Sequence, residues 1–210
     1  FSQEFQLLSP KASSIQWILG GFYFHDVASY DPLRLQGLAA APFSYIDFHA
    51  VQRTKSLSGY GQATAEVLPD TKLTLGLRYT RDRRGIVGET RGGMPTGPIV
   101  LAQAAQKAHW GEWTWRAALD HQFTSSVLGY VSYNRGFKSG AYNAVAYADK
   151  PVAPELLDAY EAGLKSEWFD RRLRANIAAF YYDYKNIQVQ QVVAGAAFTL
   201  NAAAATISVA

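Results

Sequence analysis

Apolar and polar residues alternate along much of this chain with a period of two. Thr71 to Thr80 reads TKLTLGLRYT, which sets Leu73, Leu75, Leu77 and Tyr79 on one face and Lys72, Thr74, Gly76, Arg78 and Thr80 on the other. Such spacing belongs to a β-strand with one oily and one wet side. Trp115 to Phe123 repeats it, and so does Tyr160 to Trp168, where Glu161, Gly163, Lys165 and Glu167 take the polar side. Ser2 to Leu8, Ser13 to His25, Ala50 to Val67, Ser126 to Lys138, Arg171 to Gln190 and Phe198 to Val209 add further strands, about nine in all. Pro154 to Lys165 has some helical propensity, but its alternation and the interior Gly163 argue for a strand. The sequence predicts a short helical turn over Ile99 to Lys107, inside a loop.

The connections alternate between short and long. Ser9 to Ala12, Leu68 to Asp70, Thr124-Ser125 and Phe169-Asp170 read as tight turns, whereas Asp26 to His49, Gly85 to Ala108 and Ser139 to Ala153 read as long loops. Compact soluble domains seldom carry several structureless loops of more than ~12 to 15 residues. Outer-membrane barrels do, with short periplasmic turns and long extracellular loops. A strand of ~10 residues tilted by ~45° crosses the ~25 Å apolar band, so strands longer than this project beyond the membrane. Aromatic residues stand where interfacial girdles would lie: Trp17, Phe22, Tyr23 and Phe24; Trp110, Trp113 and Trp115; and Trp168-Phe169. A soluble β-sandwich would instead use these rings as its core.

Composition narrows the possibilities further. The chain has 210 residues, 49% of them hydrophobic and 18% charged, which excludes disorder and a charged coiled coil. A net charge of +3 with no dense basic stripe gives no reason to expect nucleic acid as a partner. No stretch is apolar enough for a membrane-spanning helix, so a bilayer would have to be crossed by strands. There is no Cys. The four His (His25, His49, His109, His121) show no metal-binding spacing, so neither a protein-held metal nor a cofactor is expected. The run Gly92 to Pro98 lacks the Lys and helix of a phosphate-cradling loop, and no nucleophile elbow occurs, so no enzymatic activity is expected. The chain starts at Phe1, which reads as a mature or cut-out segment.

Several blocks resemble the barrel domain of TonB-dependent outer-membrane receptors, in particular the iron-siderophore branch found in Gram-negative bacteria. They are Ser56 to Thr64 (SLSGYGQAT), Leu73 to Arg81 (LTLGLRYTR), Val131 to Asn143 (VSYNRGFKSGAYN), Pro154 to Trp168 (PELLDAYEAGLKSEW) and Ile177 to Gln188 (IAAFYYDYKNIQ), in the family's order and over nearly the whole chain. The resemblance implies an all-β fold: an antiparallel transmembrane barrel of 22 strands blocked by an N-terminal plug. Residues 1 to 210 would supply about nine of these strands, without the plug or the closing strands. It further implies a receptor in the cell outer membrane that binds a scarce solute, typically a ferric siderophore. Its partners would be outer-membrane lipid, lipopolysaccharide, and TonB reached through the missing N-terminal region. A passive porin or small self-contained barrel is the competing function.

Candidate ligand-binding residues lie where strands run toward the long loops. Arg81, Arg83 and Arg84, with Arg78 below them, would form an electropositive lip that attracts anionic ferric chelates or lipopolysaccharide phosphates, or simply a solvated loop partly offset by Asp82. Arg135, Lys138, Tyr142 and Asn143 belong to the most family-like block. There Gly136 and Gly140 would permit bends, and Arg135 would pair inside the lumen. Glu161, Lys165, Glu167, Arg174 and Lys185 are expected to face the lumen and meet the plug.

Overall fold

A computed structural model describes residues 1–146, 149–193, 196–202 and 204–209. Its strands are β1 (Ser2–Leu8), β2 (Ile15–Gln36), β3 (Tyr45–Leu68), β4 (Thr71–Met94), β5 (Gly97–Thr124), β6 (Val127–Lys138), β7 (Glu155–Trp168), β8 (Leu173–Lys185), β9 (Gln188–Val193), β10 (Ala196–Asn201) and β11 (Ala204–Val209). Nine of them form one antiparallel meander in the order β1-β2-β3-β4-β5-β6-β7-β8-β11, while β9 and β10 make a separate hairpin. Among the described residues this sheet does not close on itself, and β1 and β11 are its edges.

Two of the predicted long loops are strand. β2 and β3 stay paired as far as Gln36↔Tyr45, and β4 and β5 as far as Met94↔Gly97, so Asp26–His49 and Gly85–Ala108 form the upper halves of long hairpins. The helical turn expected over Ile99–Lys107 is likewise absent. Lys107 faces Gly85 and Ile99 faces Gly92 within β5, and a neighbouring strand that takes the backbone hydrogen bonds outweighs the helical preference of Ala and Gln. A 3-10 turn does occur, but at Gly37–Ala40 in the β2–β3 connection. Arg171–Gln190 breaks at Asn186, whose left-handed φ of 54° interrupts the strand between β8 and β9. Phe198–Val209 similarly divides into β10 and β11. Residues 139–154 form the long connection that lies largely outside strands, with an isolated bridge at Ala141↔Val152; of them, Tyr147 and Ala148 lie outside the described residues, as does Ala203. At the opposite end the turns are short, and Asp70 takes a left-handed φ of 58°, a conformation Asp tolerates better than most residues.

Register decides which way each side chain points. β3 and β4 pair without a shift from Glu66↔Lys72 to Ile46↔Gly92, and β4 and β5 from Thr71↔His121 to Thr90↔Ala102. Alternation set near the turns is therefore kept to the hairpin tips. Leu19, Leu77 and Trp115 share one row, Trp17, Leu75, Ala117, Tyr133, Tyr160 and Tyr181 the next, and Leu73, Leu119, Val131 and Ala162 a third. This face is bare: Leu75 is 53% exposed and Ile177 73%, whereas six hydrophobic residues are buried among those described, three of them Ala. Such an inside-out distribution suits a wall with lipid on its outer side.

The opposite, inward face is polar and internally bonded. Arg78 donates to Ser58 Oγ (2.5 Å) and Thr80 Oγ1 (3.1 Å), Tyr60 donates to Glu4 (2.6 Å), and Tyr130 donates to Glu161 (2.5 Å) beneath the Lys165 ammonium. Glu161, Lys165, Glu167 and Arg174 lie on this side as expected, but Lys185 does not: it pairs with Leu156, which falls on the outward face.

Two outcomes follow from this arrangement. Leu75→Arg, near the middle of the apolar band, should cost about 2–4 kcal/mol in lipid, against less than about 0.5 kcal/mol for Ala178→Lys on the inward face. Urea unfolding from vesicles measures both, and equal losses would reverse the face assignment. In the β2–β3 hairpin, Arg34 clasps Asp47 with two donors at 2.6 Å and lies 4.2 Å from the Tyr45 ring centroid. These bonds hold the Asp47 carboxyl below the usual carboxylate range. A lowered folded pKa stabilises above the unfolded value of about 3.9 and is lost as pH falls through the folded value. Amide protection over residues 33–48, corrected for intrinsic exchange, should hold from pH 7 to 5 and fall only below about 3.9, and Arg34→Ala should remove that dependence.

Candidate functional site

At the end with the long hairpins, the connection after β6 folds back over the inward face. Gly140 is seated against Trp110, and a Cβ there would also lie 2.5 Å from the Val152 carbonyl, so only glycine allows this approach. Tyr142, 7% exposed, packs with Ala50 and Ile86, and Ala104, Ala108 and Ala144 complete the cluster. Small residues on β5 make room for the ring. Burial pushes the Tyr142 phenol above its ordinary range, so it stays neutral.

The β9–β10 hairpin holds this connection in place. Asn143 Nδ2 donates to the Thr199 carbonyl (3.0 Å), and its Oδ1 accepts from the Thr199 amide (2.7 Å). Asn201 accepts from the Ala153 amide (2.7 Å) and donates to the carbonyls of Ala153 (3.1 Å) and Asn186 (2.8 Å). Gln188 donates to the carbonyls of Ser139 and Ala153, both at 3.0 Å. A chain segment with no ladder of its own thus has its backbone groups met by side chains. Gln188 and Asn201 escaped the sequence reading, because a lone amide in a strand gives no local sign of a partner some 50 residues away.

The seven residues marked by the sequence do not form one patch. Arg81 and Arg83 point outward, while Arg84 points inward beside the Tyr142 cluster. Burial pulls the Arg84 guanidinium below its ordinary value, with nearby Asp82 acting the other way, and Asp82 Oδ1 and Arg84 Nε have no hydrogen-bond partner among the described residues. Lys138 ends β6 on the inward side, 4.0 Å from Glu155 Oε2. Tyr142 and Asn143 belong to the folded-back connection.

Arg135 is paired, but on the outward face rather than inside the lumen. Its Nη1 lies 3.7 Å from Asp158 Oδ2 and its guanidinium 5.0 Å from the Trp115 ring, but all three side chains share one outward row, next to that of Tyr133 and Tyr160. Alternation from Val131 dictates this. Trp110 departs in the opposite sense, facing inward under Gly140, whereas Trp113 and Trp115 face outward; Phe22 and Phe24 also face inward, leaving Tyr23 outside. His49 bonds Asp31 (2.9 Å) and His121 bonds Thr71 (2.8 Å). Among the described residues no group of three or more His, Asp or Glu side chains gathers where a metal ion could sit.

Residues 1–208 match the family described as TonB dependent receptor-like, beta-barrel. The ferric yersiniabactin uptake receptor FyuA from Yersinia pestis superposes with a TM-score of 0.72 at 19% identity, over 90% of this chain and 29% of that one. The alcaligin outer-membrane receptor FauA from Bordetella pertussis gives 0.48 at 17% identity, over 92% of this chain and 35% of its own, and the copper transporter OprC gives 0.47 at 12%, over 99% and 42%. This chain therefore spans about three-tenths of the length of FyuA, and at these identities the likeness concerns the fold. Strand order, inside-out exposure and the family match agree: the chain belongs to the TonB-dependent receptors of the Gram-negative outer membrane, as part of their β-barrel.

Proposed function

We propose that this segment is barrel wall in a receptor that imports a ferric siderophore across the outer membrane of a Gram-negative bacterium. FyuA and FauA are named for the siderophores yersiniabactin and alcaligin, whereas OprC is a copper transporter, so the cargo must be argued from this chain's own groups. The observation that carries the proposal is the folded-back connection. It sets Tyr142 and Asn143 on the same inward side as the cations Arg84 and Lys138. Positive charge repels a bare metal cation and attracts an anionic chelate. Of the residues marked by the sequence, these four form the ligand-side set. The polar wall below, with Glu161 and Lys165, would receive a plug domain through which TonB acts.

Uptake of iron-55 in siderophore form by iron-starved cells tests the proposal. Import should require both the gene carrying this segment and TonB, and Arg84→Gln with Lys138→Gln should weaken chelate binding about tenfold, equivalent to ~1.4 kcal/mol. Steady open-channel current in planar bilayers together with TonB-independent flux would favour the porin instead. Asn143→Ala should raise deuterium uptake across residues 139–153 and speed chelate release, with exchange in β3 to β5 unchanged. Unaltered release would detach the connection from ligand retention.

A further inference from the structure

Above Glu161 the inward face of β7, β8 and β11 turns apolar and aromatic. Register sets Phe180 beside Glu161, Ala159 beside Tyr182 and Ile207, and Leu157 beside Tyr184. Below them the inward pairs Lys165↔Asn176 and Glu167↔Arg174 are polar. Counted from Leu173, where β8 leaves its turn, Phe180 and Tyr184 stand roughly 16 and 26 Å up, at about 3.3 Å per residue and a tilt of about 45°. The ladder therefore lines the extracellular half of the lumen, and its top row lies just below Lys138 and Glu155.

Other aromatic side chains of the inward face are already engaged. The Arg78 guanidinium lies 5.7 Å from the Phe22 ring centroid and 5.4 Å from that of Tyr60, Trp110 backs Gly140, and Tyr142 is buried. Among the described residues no cation lies over Phe180, Tyr182 or Tyr184, which are partly exposed. Tyr60 and Tyr130 donate to carboxylates, whereas among the described residues no hydrogen bond engages the hydroxyl of Tyr182 or Tyr184. The Phe180 and Tyr182 rings lie 4.7 Å apart at an interplanar angle of 32°, and Ile207 beside them is 46% exposed. Rows about 6.6 Å apart on strands about 4.8 Å apart make this a patch of roughly 13 by 10 Å, room for one or two aryl rings.

We propose that this ladder stacks an aryl group of the imported chelate, so that the receptor selects phenolate-bearing chelates over aliphatic ones of the same charge. The proposal rests on the chelate-import reading above. Ring faces attract aryl groups beyond the area they bury, and an aliphatic chelate forgoes that gain. Charge complementarity supports the same occupant. Lys138, its side chain 60% exposed, stands at the rim of the patch, while Glu155 Oε2 beside it accepts the Gln188 amide (2.8 Å). An anion held at Lys138 thus brings its ring against Tyr184 and Tyr182. The polar wall below, from Glu161 downward, lacks such a surface and suits a plug instead.

The test uses the full-length receptor in neutral detergent and equilibrium dialysis with iron-55. The probes are the ferric complex of bis(hydroxybenzyl)ethylenediaminediacetate, which carries phenolate rings, and ferric ethylenediaminetetraacetate, of equal net charge, in which carboxylates take their place. The wild type should hold the aryl chelate about tenfold more tightly. Y182F/Y184F keeps the rings and should keep that preference; Y182S/Y184S should abolish it with affinity for the aliphatic chelate unchanged. K138Q should weaken both chelates by a common factor. Equal binding of the two by the wild type, or a preference that survives in Y182S/Y184S, overturns the stacking site and leaves chelate import standing. Binding of neither overturns the site as well, and the iron-55 uptake described above then decides import separately. Higher deuterium uptake in the plug of Y182S/Y184S without chelate would show that the plug covers the ladder, which also overturns it. Folded variants migrate faster before boiling, as the wild type does; should Y182S/Y184S fail that check, Tyr184→Ser decides.

Discussion

A backbone amide in hydrocarbon has no water to bond, so every strand of a bilayer-crossing wall must hand its N–H and C=O groups to the strands beside it. Here that requirement is met by a meander in which each strand pairs with its sequence neighbours up to β8. The pairing from β3 to β5 runs past the membrane without a shift, and the register breaks near Leu33, Leu68, Thr90 and Thr124 sit by the turns or hairpin tips. Because side chains alternate with a period of two, unbroken register carries one decision about facing along an entire strand. Leu75 outside and Arg78 inside follow from the same rule that places Arg83 outside and Ile86 inside about 26 Å farther along.

That rule separates two kinds of surface. The outward side holds the aliphatic rows, an aromatic border of Tyr79 and Trp113, and then the cations Arg81, Arg83 and Lys107. The inward side answers its own polarity, with hydroxyls, carboxylates and guanidinium groups bonded to one another. A packed cluster forms only where another layer is laid over the sheet. Tyr142 and Ile86 are buried because the connection after β6 folds inward, and the amides of Asn143, Gln188 and Asn201 hold it there.

The fold itself was largely legible. Leu73 to Tyr79 and Tyr160 to Trp168 announce their strands by alternation, and Pro69-Asp70 and Phe169-Asp170 announce their turns. Legibility failed at the hairpin tips, where Ile99 to Lys107 is rich in Ala and Gln. Local propensity there leans toward helix, and only the partner strand from Gly85 to Gly92 makes it β. The candidate site was less legible. Arg81, Arg83 and Arg84 read as one basic run, yet a pleated strand sends alternate residues to opposite sides of a membrane protein's wall.

The sequence by itself determined the strand-and-turn rhythm, the family and the apolar face, because each rests on neighbours within about ten residues along the chain. Tertiary structure decided the rest: that two expected loops are extended hairpins, that Arg135 and Lys185 face outward, and that Asn143 meets Thr199 across 56 residues. These outcomes depend on cross-strand register and on one segment folding over another. Neither leaves a periodic trace in the residues that bring it about.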